Sequence, residues 1–122
     1  MHEVVISIGS NIEPRRNIQN ALLVLEGVMQ IQKVSEMLVT KPLGITDQPD
    51  FVNGAMKGLT PHSRNELNQQ LKVIEDRLGR DRSRAKFGPR EIDLDIVVWN
   101  GEIVDADYFS RDFLKSVVDQ VM

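Results

Sequence analysis

Apolar positions recur along this chain in two rhythms, one for strands and one for helices. Residues 3–8, EVVISI, form a β-branched run that reads as a strand and ends in the turn signal GSN. Pro14 suits the first position of a helix. Ile18, Ala21, Leu22 and Leu25 follow at helical spacing, which predicts an amphipathic helix over 14–27. A weaker strand pattern covers 30–39, QIQKVSEMLV, and a clearer one covers 51–59, FVNGAMKGL. Between them TKPLGITDQPDF carries two prolines, a glycine and two aspartates. It reads as a loop of about ten residues, long enough to be functional. The second helix has the stronger signature: Ser63 and Glu66 match a capping box. Leu67, Leu71, Ile74 and Leu78 line one stripe, and Gly79 stands where a C-cap glycine belongs. Residues 92–98 give the last strand and Asn100-Gly101 a turn. The pattern assigns no element to residues 104–122.

The order is strand, helix, strand, strand, helix, strand. It predicts an α+β domain spanning 1–122, a ferredoxin-like βαββαβ antiparallel sheet with its helices on one face. One covered face suffices for such a sheet, so the other is free to be wet and to hold a site.

Period two then places chemistry. In IDLDIVV, Ile92, Leu94, Ile96 and Val98 are expected under the helices, while Asp93 and Asp95 point to the opposite face. Their α-carbons are expected roughly 6.5 Å apart. Carboxylates so spaced can converge on hard cations held about 3.5–4 Å apart. Magnesium suits them, because it takes few protein oxygens and completes its shell with water and phosphate. A D-x-D pair alone is more often a solvated sheet face.

Charge changes that picture. The chain carries a formal −3, yet residues 77–90, RLGRDRSRAKFGPR, hold six basic residues and one acid. A basic arm on an acidic body suits a local anion rather than nucleic acid in general. Arginines beside carboxylate-held magnesium are what a polyphosphate needs. Neither a P-loop nor a kinase glycine loop is present. The absence of cysteine excludes disulfides and thiol chemistry. With no membrane-length apolar run and no signal-peptide pattern, a cytoplasmic protein is expected.

Four segments together resemble a known family: SIGSN (7–11), TKPLGITDQPDFVN (40–53), IEDRLGRDRSRAKFGPREIDLDI (74–96) and RDFL (111–114). The chain is similar to the 6-hydroxymethyl-7,8-dihydropterin pyrophosphokinases of folate biosynthesis. The resemblance implies transfer of pyrophosphate from ATP to the pterin hydroxymethyl group, with attack at the β-phosphorus and release of AMP. It implies two Mg2+ ions on Asp93 and Asp95, one bridging the α- and β-phosphates and the other the β- and γ-phosphates. Asp93, Asp95, Arg82 and Arg90 would be the catalytic set. The pterin would lie between Phe87 and Phe113, with Asn53 at its edge and Gly9, Thr40, Leu43 and Phe51 around it. Phe51 stands where the family often has tyrosine. Nucleotide contacts would come from Lys72, Glu75, Arg80, Arg82, Arg84, Lys86, Arg90, Ile96 and Arg111. Glu75 could instead brace the basic loop by pairing with an arginine.

The chain departs from the family pattern in several places. The usual histidine-proline pair before R-x-F is missing from NGEIVDADYFS, and Met122 stops short of a further helical segment. Lys41 replaces a common proline, and Lys72 a frequent glutamine. The missing segment would leave a core face or edge open to a second copy, so monomer and homodimer are both allowed. ATP and the pterin are the expected partners, with no nucleic acid and no membrane. Two other readings stand beside this one. One is a degenerate relative that binds pterin or nucleotide without efficient transfer. The other is a nucleic-acid module of the same topology, against which stand the negative charge and the absence of an aromatic RNA-binding motif.

Overall fold

The computed structural model describes residues 1–122. The elements in chain order are β1 (His2–Ser10), α1 (Pro14–Leu25), β2 (Gln30–Val34), β3 (Leu38–Thr40), β4 (Phe51–Thr60), α2 (Arg64–Arg77), β5 (Asp93–Trp99), β6 (Glu102–Ile103), α3 (Asp107–Ser110) and α4 (Asp112–Val121). The sheet order is β2-β4-β1-β5-β6, with β3 also on β4. Every pairing is antiparallel. The βαββαβ core expected from the sequence is therefore present, with β1 and β4 at its centre.

Local rules account for most boundaries. Pro14 opens α1, and Ser63 caps α2 through a reciprocal box with Glu66. Gly79 follows α2 at φ 90°, a left-handed conformation that side chains resist. Asn100 and Gly101 both have positive φ, as a two-residue hairpin into β6 requires. The predicted strand over 30–39 is instead two short strands. Ser35 Oγ accepts the N–H of Ala55, so a side chain stands in for the backbone and interrupts the ladder.

Two apolar clusters sandwich the sheet. Val4, Ile6 and Ile8 of β1, with Met56 and Leu94, pack beneath Leu25 of α1 and Leu67, Leu71 and Ile74 of α2. On the opposite face Val5, Ala55 and Val97 pack against Leu114, Val117, Val118 and Val121 of α4. This face was expected to be wet and free of helices. The chain's own C-terminal helix covers part of it, because four apolar residues at helical spacing project from α4 onto the sheet. Val98 also corrects an expectation. Pairing slips between Val5 and Ile6, which face Val98 and Ile96 respectively, so Val97 is an extra residue. That bulge carries Val98 to the α4 side. No helix is long and apolar enough to cross a membrane.

Leu71→Ala should lower the unfolding free energy by about 2–5 kcal/mol in a denaturant titration. Leu23→Ala, at a side chain 66% exposed, should stay within about 0.5 kcal/mol of the parent.

Candidate active site

The sheet face that α4 leaves uncovered holds a cavity of about 390 Å³. Strand register builds its floor in two rows. Gly9 lies between Asn53 and Asp93, and Ser7 lies between Ala55 and Asp95. Both aspartates thus share one surface, opposite the α1–α2 core, as alternation required. Gly9 is a steric necessity here. A β-carbon on it would stand 2.8 Å from Asn53 Oδ1. Asn53 is fixed by donating from Nδ2 to Thr40 Oγ1 at 2.6 Å. That leaves its carbonyl oxygen at the floor.

The walls come from three loops tied together by residues that the sequence reading quoted but gave no role. Asn11 Nδ2 donates to Gln48 Oε1 and to the Pro49 carbonyl, while its Oδ1 accepts the Arg90 N–H at 2.8 Å. Gln48 Nε2 donates in turn to the carbonyls of Ile45 and Phe87. Amides satisfy this role because each offers donors and an acceptor at once. Gly44, at φ 73°, lets the loop pass against the Phe87 ring. Phe87 is 44% exposed, and Phe113, from α4, lines the same cavity.

Gly9, Thr40, Leu43, Phe51, Asn53, Phe87 and Phe113 all line the cavity, together with Asp93, Asp95, Arg80, Lys86, Arg90 and Arg111. Five residues assigned to the nucleotide or to catalysis do not. Ile96 packs against the helix-side core, as its alternation with Asp95 dictates. Arg82 is spent on Glu75 Oε1 and Asp76 Oδ1, at 3.0 and 2.9 Å. Arg84 pairs with Glu91. Lys72 does not line the cavity, and its carbonyl accepts a hydrogen bond from Arg82. Glu75 is 1% exposed and braces the basic loop, the alternative the sequence had offered. Its Oε2 accepts the Leu94 N–H at 2.8 Å and lies 2.9 Å from Arg80 Nη1. The Arg90 guanidinium donates to loop carbonyls at Ala85, Lys86, Gly88 and Pro89, so in this arrangement it shapes the loop.

A sequence model of the 7,8-dihydro-6-hydroxymethylpterin-pyrophosphokinase family (HPPK) matches residues 5–122. The chain belongs to that family. It is 40% identical over 108 residues to a mitochondrial folate synthesis bifunctional protein of Arabidopsis thaliana, covering 87% of this chain and 19% of that protein. The 2-amino-4-hydroxy-6-hydroxymethyldihydropteridine pyrophosphokinases of Aquifex aeolicus and Pseudomonas aeruginosa are 35% and 37% identical. Those alignments cover 85% and 86% of this chain, and 65% and 66% of the relatives. The chain thus spans about two thirds or less of the relatives it matches.

Three charged cavity residues went unassigned: Lys41, Asp105 and Asp107. Asp105 lies just before α3 and Asp107 opens it. The sole sequence signal was their place just before R-x-F. Asp107 lies 3.6 Å from Arg111 Nη2, one turn along the chain. Asp105 Oδ1 accepts the Asp107 N–H.

Asp95 is the electrostatically unusual group. Asp95 is itself exposed to the cavity, yet the protein atoms crowded around the cleft, then the neighbouring charge of Asp93, push its carboxyl up to about 7. Glu75 and Asp105 add to the rise and Lys72 opposes it. Its side chain still reaches the cavity, so a cation could relieve the repulsion. The fit to magnesium is good. Of the four aspartates that line the cavity, Asp93 and Asp95 stand two apart on β5, and no third acid joins them in a metal-binding cluster. That is the sparse donor set a magnesium–phosphate complex accepts.

A folded-state value above the ordinary 3.8 means that the native protein keeps a proton the unfolded chain has lost. Asp95 therefore subtracts stability as pH rises from about 4 to about 7. In EDTA, Asp95→Asn should raise Tm, and thermal melts should show that gain growing through this window and levelling above it.

Proposed function

We propose that this chain transfers the terminal pyrophosphoryl group of ATP to the hydroxymethyl oxygen of 6-hydroxymethyl-7,8-dihydropterin, releasing AMP. The observation that carries this reading is one cavity lined together by Phe87 and Phe113, the Asp93–Asp95 pair and several cations. Relatives over 100 residues of alignment carry that activity in their names, which supports it further.

The assignments follow from side-chain chemistry. Phe87 and Phe113 offer flat faces for a planar heterocycle. Asn53, oriented by Thr40, presents its amide to the ring edge and excludes isomers that cannot match it. Gly9 keeps the floor low enough for that contact. Leu43 and Phe51 exclude water from the ring. Lys86, Arg80, Arg90 and Arg111 place positive charge where the triphosphate must lie. When bound by Asp93 and Asp95, two Mg2+ ions would neutralise the transferred group and orient the attacking hydroxyl. The hydroxymethyl oxygen bonds to the β-phosphorus, and the bond from that phosphorus to the α–β bridging oxygen breaks. AMP leaves with the bridging oxygen. The hydroxyl proton passes to solvent, or to Asp93 or Asp95 as a transient acceptor. Arg82 and Glu75 act from behind, holding the basic loop and β5 in place. The proposal includes a cytoplasmic protein that works as a monomer or homodimer, without nucleic acid or membrane.

AMP should form from ATP and the pterin only with a divalent ion, followed by coupled detection of AMP. Asp95→Ala should reduce the rate at least ~100-fold, as loss of a charge-stabilising group does. No AMP from the folded parent protein at high concentration would overturn the transfer and leave only a binder. Phe113→Ala should weaken pterin binding roughly 2- to 10-fold by loss of stacking, as titration with the pterin alone would measure.

A further inference from the structure

One guanidinium nitrogen is shared between two carboxylates of unequal kind. Arg80 Nη1 lies 2.9 Å from Glu75 Oε2 and 2.9 Å from Asp93 Oδ1. Glu75 is buried, at 1% exposure, and also accepts from Leu94 N–H and Arg82. Asp93 lines the cavity and its side chain is 43% exposed. Arg80 itself is 15% exposed, and its Nε is buried without an acceptor.

The two ties differ in strength for a physical reason. Breaking a buried pair leaves a charge with neither partner nor water, which is heavily destabilising. A pair at a solvent-facing carboxylate is worth little, because water replaces the partner. When a second cation competes for Asp93, Arg80 yields there and stays on Glu75.

We propose that Arg80 is a stand-in cation on Asp93, displaced by a divalent ion and then turned, still held by Glu75, onto a phosphoryl oxygen. This rests on the function proposed above and adds a coupling role to it. Displacement frees an Nη1 hydrogen, and the buried Nε has no acceptor to give up. The arriving ion brings phosphoryl oxygens that can accept from both. Arg80 thus opposes the ion by itself and favours the ion together with a triphosphate. By linkage, each ligand then strengthens the other. Toward the ion Arg80 is a positioning residue, acting through Asp93; toward the triphosphate it is a direct contact.

The test is titration of Mn2+ into the full chain, followed by electron paramagnetic resonance, with and without a non-hydrolysable ATP analogue. Arg80→Met should bind Mn2+ alone roughly fivefold or more tighter than the parent. The gain in Mn2+ affinity that the analogue brings should shrink by a similar factor. Equal or weaker Mn2+ binding by a folded Arg80→Met protein would overturn the inference. Should that variant unfold, the side-chain 15N resonances of Arg80 in the parent decide. Magnesium alone should move them, and no movement at saturating metal overturns the inference. Asp95→Asn separates the two levels. Unchanged Mn2+ binding in that variant removes the carboxylate site itself. Lost binding there, with no gain in Arg80→Met, removes only the stand-in role.

Discussion

The buried carboxylate of Glu75 is the constraint on which the site depends. It reaches from α2 to the outer edge of β5 and satisfies the Leu94 N–H, a donor between the two aspartates. It also holds Arg80 and Arg82, the first two arginines of the loop after α2. One side chain thereby fixes helix, strand and loop relative to one another. A carboxylate at 1% exposure is tolerable only because two guanidinium groups and a backbone donor surround it. The loop's charge is therefore partly structural. Arg82 and Arg84 hold the loop, Arg90 shapes it from the cavity wall, and Arg80 and Lys86 face the cavity.

A second constraint is the division of one sheet face. Along β1, Val5 lies under α4, whereas Ser7 and Gly9 floor the cavity. Along β4, Ala55 and Asn53 divide in the same way. Side chains shrink and turn polar where the helix ends, so the cavity begins where apolar packing stops. α4 has two tasks. Its apolar stripe completes the core, and its first turn delivers Phe113 beside the entrance. A clip in which Tyr108 donates to Asp119, and Lys115 to both, ties α3 to α4. That clip helps to place Asp107 and Arg111 at the rim.

Much of this was legible in the sequence because it is local. The capping box at Ser63 and Glu66, the proline before α1 and the Asn100-Gly101 turn act within a few residues. The face shared by Asp93 and Asp95 follows from strand alternation. The seven residues assigned to the pterin gather in one cavity, since they were read from motifs that the fold brings together. Ile96, Lys72, Arg82 and Arg84 were harder to place. A motif records that a residue matters, but not which way its side chain leaves the backbone. Asn11 and Gln48 stood inside the quoted motifs, and only their partners across three loops reveal why.

The sequence by itself determined the order of the βαββαβ core, the starts of α1 and α2 and the outward direction of the two carboxylates, because backbone sterics and short-range periodicity fix these. The tertiary structure alone decided that α4 covers part of the outer face, that Val97 bulges and turns Val98 over, and that Glu75 is buried rather than exposed. Each of those depends on contacts between segments distant in the chain, whose energies no local pattern encodes.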